Sequence, residues 1–509
     1  MITLDGGPLS SQDVLDVVRG GQTVALGEKA RAAMAASARV VERLDQADSV
    51  AYGVTTGFGA LASVAVPAGA RRTLQRSLVL SHAAGMGDAV DDEVVLAMML
   101  LRARTLSVGL SGVRPLVVDA LLQLLNDRVV PFVPAEGSLG ASGDLAPLAH
   151  IAAVLVGSGW VKVEGRREAG ESFCARHGFT PLLLEPKEGL GLINGTDGMT
   201  GLLTLALADM ADLMDFADVA AAMSVEAAMG SVTPFGERVL SLRPSPGQQL
   251  CGRHLRQLLD QSPVVAFHQP SHHLVQDAYS FRCTPQVHGA ARDQLEFAEV
   301  VVARERDSVV DNPVVFPDDE ALVSAGNFHG QALSYVADIL AMVMADVAAL
   351  SERRIARLLD PATSHGLPAF LVKEPGINSG FMIAQYTAAD CVARLRHLAT
   401  PFSVHSAVTS AGQEDHVSMG WGGALRTRSA ISFLRHTLAI ELVLGAQALE
   451  LRKPLSPAPG TGAILNSLRQ HVPTMPGDEF VAPLLEQADK WMQEEDTRTL
   501  VASVLAPRM

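Results

Sequence analysis

Residues 137–145 read Gly-Ser-Leu-Gly-Ala-Ser-Gly-Asp-Leu, and they hold the most unusual chemistry of this sequence. Glycine has no Cβ, so the backbone here can bend tightly. In a tight bend the amide nitrogen of Gly143 can approach the carbonyl carbon of Ala141. Ring closure with loss of water, including the Ser142 hydroxyl, would leave a conjugated imidazolone with an exocyclic methylene. The segment therefore predicts an electrophile, which no unmodified side chain provides.

Two simpler interpretations of this segment stay open when these residues are taken alone. A glycine-rich turn before a helix needs no chemistry, and Asp144 would then serve as a helix cap. A phosphate-binding loop is disfavoured, because the Lys-Ser/Thr pair of such loops is missing and Asp144 places a negative charge where phosphate would lie. The remainder of the chain bears on the choice.

The elements that must position this segment are predicted to be mostly helical. Long helical patterns occupy four stretches, 202–229, 289–310, 332–359 and 424–451. Helices this long exceed the globular mean and indicate a mostly α fold, with a long-helix bundle core and a smaller N-terminal part that carries the Ala-Ser-Gly loop. We expect an N-terminal domain over 1–200, the bundle over 201–455 and a helical cap over 456–509.

One of these helical stretches carries a regular acidic pattern. Asp209, Asp212, Asp215 and Asp218 recur every three residues among Leu, Met and Ala. The spacing predicts a helix with one wet face and the remainder buried.

Composition excludes several classes of protein. The 509 residues are 48% hydrophobic and 19% charged, as in well-buried globular proteins. The formal net charge of −15 argues against a nucleic-acid partner, which would favour a basic face. No uncharged apolar run approaches the roughly 20 residues that span a bilayer, and the N-terminus lacks the regions of a secretory signal. We therefore expect a cytoplasmic protein without a membrane partner.

Cysteine and histidine positions give no indication of a metal site. The four cysteines lie far apart and form no CxxC pair, so neither a disulfide framework nor a zinc knuckle is expected. His268, His272 and His273 are close in sequence, but Pro270 prevents a helical pairing of their side chains. The sequence predicts no bound metal.

Six motifs together resemble the aromatic amino acid ammonia-lyases and aminomutases, which build a methylidene-imidazolone from Ala-Ser-Gly. Besides the loop itself, the motifs occupy residues 51–59, 192–196, 276–283, 326–329 and 413–419, in the order of the family. The resemblance implies that 4-methylidene-imidazol-5-one, formed from Ala141, Ser142 and Gly143, is the cofactor and that no external one is needed. It also implies a homotetramer whose active sites draw residues from several chains.

Elimination of ammonia from an amino acid needs an electrophile for the amine, a base for the β-proton and groups that hold the carboxylate. Tyr52, in a glycine-rich loop, is the predicted base, and the resemblance places Tyr279 near the imidazolone. Arg282 suits a carboxylate, because guanidinium binds it bidentately. Asn194 and Gln276 can hydrogen-bond the carboxylate and the imidazolone carbonyl. By residue type alone, each of these side chains would more often have a structural role.

The choice of substrate depends on the side-chain pocket. The resemblance places Phe328 as a wall beside the imidazolone and His82 against the substrate side chain. The pair Ser81-His82 occurs in histidine-specific members, although some tyrosine aminomutases share it. A carboxylate at Glu414 can accept an N–H from an imidazole ring, whereas the tyrosine enzymes tend to have Gln there. The resemblance therefore implies a carbon–nitrogen lyase that converts the small molecule L-histidine to urocanate and ammonia.

Other positions depart from the histidine-specific pattern. Asp197 stands where those members usually have Gln, residues 198–201 and 330–331 are closer to tyrosine enzymes, and Gly412 replaces the usual Asn. A tyrosine ammonia-lyase or an aromatic amino acid 2,3-aminomutase is thus the alternative within the class. A catalytically silent helical scaffold is the alternative outside it, and the intact Ala-Ser-Gly triplet argues against this.

Overall fold

Helices form most of the chain in the computed structural model, which describes residues 1–47, 50–268 and 276–506. The prediction of a mostly α fold is confirmed. His272 and His273, for which the sequence predicts no metal site, lie outside the described residues, as does the side chain of His268.

The helices are α1 Ser11–Val18, α2 Glu28–Gln46, α3 Arg71–His82, α4 Asp92–Ser107, α5 Pro115–Asn126, α6 Leu145–Leu155, α7 Gly170–His177, α8 Glu188–Ile193, α9 Asp197–Ala227, α10 Glu237–Leu240, α11 Pro246–Leu258, α12 Pro263–His268, α13 Tyr279–Arg282, α14 Thr284–Arg306, α15 Gln331–Leu359, α16 Met382–Leu398, α17 Gly420–Glu450, α18 Pro459–His471, α19 Ala482–Gln493 and α20 Glu495–Val504. The four predicted long helices correspond to α9, α14, α15 and α17.

The strands are short and lie mostly in the first third of the chain. They are β1 Ile2–Leu4, β2 Val24–Leu26, β3 Met86–Ala89, β4 Val130–Pro131, β5 Pro134–Glu136, β6 Trp160–Val163, β7 Arg166–Ala169, β8 Val314–Phe316 and β9 Ala321–Val323. The pair β1–β2 is parallel, whereas β3–β5, β4–β6–β7 and β8–β9 are antiparallel. Strand β5 ends directly before the Ala-Ser-Gly loop and α6 begins directly after it, so the loop joins two ordered elements.

The chain folds into two compact units that interleave in sequence. Unit 1 comprises residues 1–206, 299–338 and 401–426, and unit 2 comprises 207–298, 339–400 and 427–509. The division into three domains stays a prediction. The boundaries of the two compact units differ from those of the three predicted domains, because two later segments belong to unit 1 and the C-terminal segment belongs to unit 2.

The core of unit 1 is built around α4, which is buried on almost every side. All of its residues from Val94 to Ser107 are buried, including Arg102 and Arg104. A helix surrounded by neighbours has no wet face, so its sequence shows no amphipathic period. Its two arginines must therefore find partners inside the protein.

In unit 2, the burial of the aspartates on helix α9 differs from the prediction at one position. Asp209, Asp212 and Asp215 are half-buried, but Asp218 is fully buried, so the prediction of a single wet face is wrong for Asp218. The physical reason is the helical repeat of about 3.6 residues. A step of three residues drifts around the helix, and Asp218 follows Asp209 by about two and a half turns, which puts it on the opposite side.

Two helices are long and apolar enough to cross a membrane by length and composition alone. These are α15 and α17, and 61% and 72% of their most apolar windows are buried inside the molecule. A membrane-spanning helix would present that surface to lipid. We therefore interpret both as core helices.

Candidate active site

The Ala-Ser-Gly loop adopts the bent backbone that its glycines allow. Gly140 and Gly143 have φ angles of +63° and +72°, in the region that favours glycine. A Cβ on Gly143 would lie 2.2 Å from the carbonyl oxygen of Gly195. Both the backbone angle and the close approach exclude any larger residue at Gly143.

Two other segments of unit 1 hold this loop. The turn between α8 and α9 makes two contacts, in which Asn194 Nδ2 donates to the Ser142 carbonyl at 2.8 Å and the Asp144 amide donates to the Gly195 carbonyl at 2.7 Å. The segment before α17 makes two more. The Met419 amide donates to the Leu139 carbonyl and Ser418 Oγ donates to the Gly140 carbonyl. Long-range contacts therefore fix the shape of the loop.

Asp144 is buried beneath the loop and does not cap its own helix. Its side chain makes no capping bond to α6 and accepts instead from the Met199 amide, in the first turn of α9, at 2.8 Å. Ser138 Oγ donates to the other carboxylate oxygen at 3.3 Å. Burial raises the pKa of Asp144 to about 7, opposed by the Met199 amide and reinforced by the charge of Asp197. The carboxyl group thus titrates near neutrality.

We expect Asp144→Asn to remove a pH-dependent loss of stability. The raised pKa means that the folded state favours the neutral carboxyl. Its contribution to stability is therefore full below about pH 4 and is lost as the pH rises through about 7. An amide stays neutral. The free energy of unfolding of the variant should therefore rise relative to that of the wild type over this range, by at most about 4 kcal/mol.

The measurement is the thermal unfolding midpoint of both proteins from pH 4.5 to 7.5. Asp338→Asn is the matched control in unit 1. Although burial raises the pKa of Asp338, hydrogen bonds from Ser403 and from the Phe402 amide lower it below its usual value. This control should show no gain over the same range. A pH-independent difference between Asp144→Asn and the wild type would contradict the assignment.

Glu414 lies directly against the loop. Ser142 Oγ donates to Glu414 Oε1 at 2.7 Å, and Thr409 Oγ1 donates to Oε2 at 2.8 Å. Thr409 and Glu414 also exchange backbone hydrogen bonds as an antiparallel bridge, which fixes the position of the acid. The carboxylate therefore has one oxygen held by its own loop and the other in contact with the hydroxyl that ring formation would remove.

His82, in the last turn of α3, is half-buried, and its ring feels the charge of Glu414. Its Nδ1 lies 2.9 Å from the Leu78 carbonyl, which can only accept a hydrogen bond. Nδ1 therefore carries a proton. Burial lowers the pKa of His82, against the opposing effects of that carbonyl and of Glu414, so the neutral ring with a free Nε2 lone pair is favoured.

Tyr52 lies half-buried in the loop between α2 and α3. Its hydroxyl oxygen accepts the Gly59 amide at 3.0 Å, and its ring packs edge-on against Phe58. The 3₁₀ turn at Gly59–Leu61 packs on the turn at Ser410–Gly412, in the segment that carries Glu414.

Gln75 connects the tyrosine loop to the asparagine. Its Nε2 donates to the Gly53 carbonyl at 3.2 Å, and its Oε1 accepts the Gly189 amide at 3.0 Å in the helix that ends before Asn194. Gln75 is fully buried. This bridge was not visible in the sequence, because a single Gln in an amphipathic helix resembles any surface residue.

Phe328 lies half-buried in a turn closed by a hydrogen bond from the His329 amide to the Gly326 carbonyl. His329 stacks on His416, with ring centroids 5.7 Å apart and nearly parallel planes. The turn thus reaches the segment of Glu414.

The three remaining candidates belong to unit 2. Gln276 is exposed, and Tyr279 and Arg282 begin and end the single-turn helix α13. The Arg282 guanidinium lies over the Tyr279 ring, 4.5 Å from its centroid. Its buried Nε has no hydrogen-bond partner among the described residues. An arginine held by an aromatic ring with a free donor suits an anionic ligand.

Comparison with known proteins places these residues in a family. The family model described as aromatic amino acid lyase matches residues 9–470. The chain belongs to the aromatic amino acid lyase family. The resemblance expected from the sequence is therefore confirmed.

Members of the aromatic amino acid lyase family match almost the whole chain. The histidine ammonia-lyase of Streptomyces avermitilis is 46% identical over 504 residues, which are 98% of each chain. The histidine ammonia-lyase structure of Trypanosoma cruzi has a TM-score of 0.91 at 33% identity and covers 99% of this chain and 96% of that one. The tyrosine aminomutase structure of Streptomyces globisporus has a TM-score of 0.93 at 33% identity over 100% of both.

Sequence reasoning did not identify a buried polar cluster of unit 2. Asp218 Oδ1 accepts from Cys251 Sγ and from His288 Nδ1, and Oδ2 accepts from His254 and Arg292. Three of these groups could reach one metal ion. Cys251 Sγ and His288 Nδ1 already bond to Asp218, however, and Arg292 supplies the positive charge. We interpret the cluster as a hydrogen-bond network that joins α9, α11 and α14.

Proposed function

We propose that this member of the aromatic amino acid lyase family is a histidine ammonia-lyase, which releases ammonia from L-histidine and leaves urocanate. The observation that carries the proposal is the carboxylate of Glu414, 2.7 Å from the hydroxyl of Ser142. It puts an acceptor for an imidazole N–H beside the predicted electrophile. The similarity over 98% of the chain to enzymes named for this reaction supports it.

The residues present fit a self-made methylidene-imidazolone at Ala141, Ser142 and Gly143. The loop is bent at Gly143, no Cβ is tolerated there, and Asn194 donates to the carbonyl of Ser142. When formed, the group would supply an electrophilic methylene that takes up the substrate amine and makes its nitrogen a better leaving group. Its chemistry needs no external cofactor.

The acid–base and binding roles fall to side chains of the chain itself. Tyr52, whose oxygen already accepts an amide N–H, is the proposed base for the β-proton. The guanidinium of Arg282 is proposed to bind the substrate carboxylate, with Gln276 and Tyr279 orienting it. Phe328 is proposed as the wall of the site.

Glu414 and His82 are the proposed selectors for an imidazole ring. Neutral His82 exposes one lone pair, and Glu414 accepts N–H donors. A protonated imidazole carries two N–H donors, one for each of these acceptors, whereas a phenol has a single hydroxyl donor and satisfies the pair less well. Loss of the Ser142 hydroxyl would free Glu414 Oε1 for the ring N–H of the substrate.

We further propose that the enzyme is a cytoplasmic homotetramer with shared active sites. Large aromatic side chains remain exposed in the single chain, among them Tyr279, Phe297, Tyr335 and Tyr386. Such side chains are enriched at subunit interfaces. The cysteines of the described chain are all free thiols, as expected in a reducing compartment.

The decisive experiment is incubation of the purified protein with L-histidine, L-tyrosine and L-phenylalanine while the near-ultraviolet absorbance of urocanate, coumarate and cinnamate is followed. Light scattering of the same sample measures the oligomeric state. We expect urocanate from a tetramer. Coumarate as the main product, or a β-amino acid in place of ammonia, would overturn the histidine assignment and favour the tyrosine lyase or aminomutase alternative.

A further inference from the structure

A buried ion pair lies behind the turn that holds the Ala-Ser-Gly loop. Arg102, in the middle of α4, and Asp197, at the start of α9, have side chains only 2% and 4% exposed. Arg102 Nη1 donates to Asp197 Oδ2 at 3.0 Å and to the Asn194 carbonyl at 3.0 Å. Its Nη2 donates to the Val310 carbonyl at 3.1 Å. One guanidinium thus binds both ends of the turn over residues 194–197.

The guanidinium also lies directly against the middle of this turn. A Cβ on Gly195 would lie 2.0 Å from Arg102 Nη1, so the turn backbone rests on the arginine. Thr105 Oγ1 approaches Asp197 Oδ1 at 3.5 Å from the next turn of α4. Because all these contacts come from one rigid buried helix, they leave the turn little freedom to shift.

Both hydrogen bonds between this turn and the Ala-Ser-Gly loop depend on the position of the turn backbone. Asn194 Nδ2 reaches the Ser142 carbonyl, and the Gly195 carbonyl accepts the Asp144 amide. The bond from Asn194 polarises the Ser142 carbonyl, which is next to the Cα–H of Ser142. The bond between Asp144 and Gly195 orients the peptide that follows Gly143. The two bonds flank Gly143, whose nitrogen closes the ring, and the bond from Asn194 lies next to the Cα–H that is lost with the hydroxyl.

A stabilising role alone does not explain this ion pair. Isolated buried ion pairs are often no more stable than well-packed apolar residues of the same volume, because desolvation offsets the attraction. Asp197 also interacts with two other acids, buried Asp144 and half-buried Glu305, and burial raises the pKa of Asp197. An ion pair that is costly to bury but that holds both ends of one turn is better explained by the position it gives that turn than by a gain in stability.

We propose that Arg102 and Asp197 are positioning residues that hold the 194–197 turn against the loop, so that Ala141, Ser142 and Gly143 can cyclise. The inference rests on the proposed function. In the reaction the Gly143 nitrogen bonds to the Ala141 carbonyl carbon, whose oxygen leaves as water with the amide hydrogens of Gly143 and Ser142, so that a C=N bond forms between the Ala141 carbon and the Ser142 nitrogen. Ser142 then loses its Cα–H and its hydroxyl as a second water. No oxidant or reductant is needed.

The test measures ring formation directly and does not use enzyme activity. Wild type and variants are made by cell-free synthesis, sampled over time and digested, and the mass of the peptide containing residues 137–145 is followed for loss of two waters. Asp197→Asn keeps the shape and the acceptor but removes the charge. Arg102→Lys keeps the charge but cannot bridge three acceptors. Asp338→Asn breaks another buried ion pair of unit 1, with Arg426, and is the matched control.

We expect Asp197→Asn and Arg102→Lys to slow the loss of water by about a hundredfold, the effect of misplacing reacting atoms by about an ångström. The control should lose water at the wild-type rate, even if its thermal unfolding midpoint falls as far as those of the other two variants. Wild-type rates in a folded Asp197→Asn or Arg102→Lys protein would overturn the inference, and equal slowing in Asp338→Asn would reduce it to general destabilisation. If Asp197→Asn does not fold, Arg102→Lys decides. A wild-type chain that never loses water would instead overturn the proposed cofactor.

Discussion

Ser142→Ala is expected to lower the turnover of L-histidine by at least about a thousandfold, because the methylidene-imidazolone cannot form without the serine hydroxyl as leaving group. The loop itself should survive, since its bend depends on Gly140 and Gly143 and on backbone contacts that the substitution does not touch. The measurement combines initial rates of urocanate formation with the intact mass of the protein. The wild type should be lighter than its sequence by two waters, and the variant should have its full calculated mass.

A second serine of unit 1 offers a matched control. Ser111 is fully buried, and its Oγ has no hydrogen-bond partner among the described residues, so Ser111→Ala removes a buried hydroxyl of no chemical use. This control should keep both the mass loss and the activity. Substantial urocanate formation by Ser142→Ala, or a wild-type enzyme that is active at its full unprocessed mass, would rule out the imidazolone mechanism.

Glu414→Gln is expected to lower kcat/KM for L-histidine by about a hundredfold, the value of one hydrogen bond to a charged acceptor that becomes neutral. Glutamine keeps the size of the side chain, and Thr409 can still donate to its oxygen. The loss should therefore come from the missing charge facing the imidazole ring. Any turnover of L-tyrosine should not fall in proportion, since a phenol gains nothing from the carboxylate.

Thr409→Val provides a graded comparison for the same site. It removes the hydrogen bond to Oε2 at nearly constant volume while the charge of Glu414 remains. We expect a smaller decrease for L-histidine, roughly five- to tenfold. Steady-state kinetics of both variants with both amino acids make the measurement. Histidine kinetics unchanged in Glu414→Gln would remove Glu414 from its assigned role, and a larger effect of Thr409→Val would make the loop, not the charge, the determinant.

The candidate site depends on contacts between segments that are far apart in the sequence. Ser142 and Glu414 are 272 positions apart in sequence, yet their side chains are in contact. Ser142, Tyr52 and Glu414 lie on loops, whereas Gln75 and Arg102, which hold neighbouring loop segments, lie on helices. This division is common in enzymes, because loops tolerate the required chemistry while helices resist displacement.

The sequence by itself determined the features that depend on local chemistry and local periodicity. The triplet of Ala141, Ser142 and Gly143 needs only its own atoms to predict an electrophile. Helices α9, α14, α15 and α17 follow from a 3.6-residue repeat that each segment carries internally. Tyr52, Arg282 and Glu414 were proposed through the family motifs that carry them, since by residue type alone each would more often have a structural role.

Only the tertiary structure decided which polar groups are buried together. Asp144 resembles the cap of the helix that follows it, but its carboxylate bonds to the start of α9. Asp218 continues a sequence pattern that predicts a wet face and is instead the centre of a buried network. Arg102 lies in an apolar helix whose sequence gives no sign of a partner 95 positions away. Burial and the pairing it requires depend on which distant segments meet, and no local period carries that information.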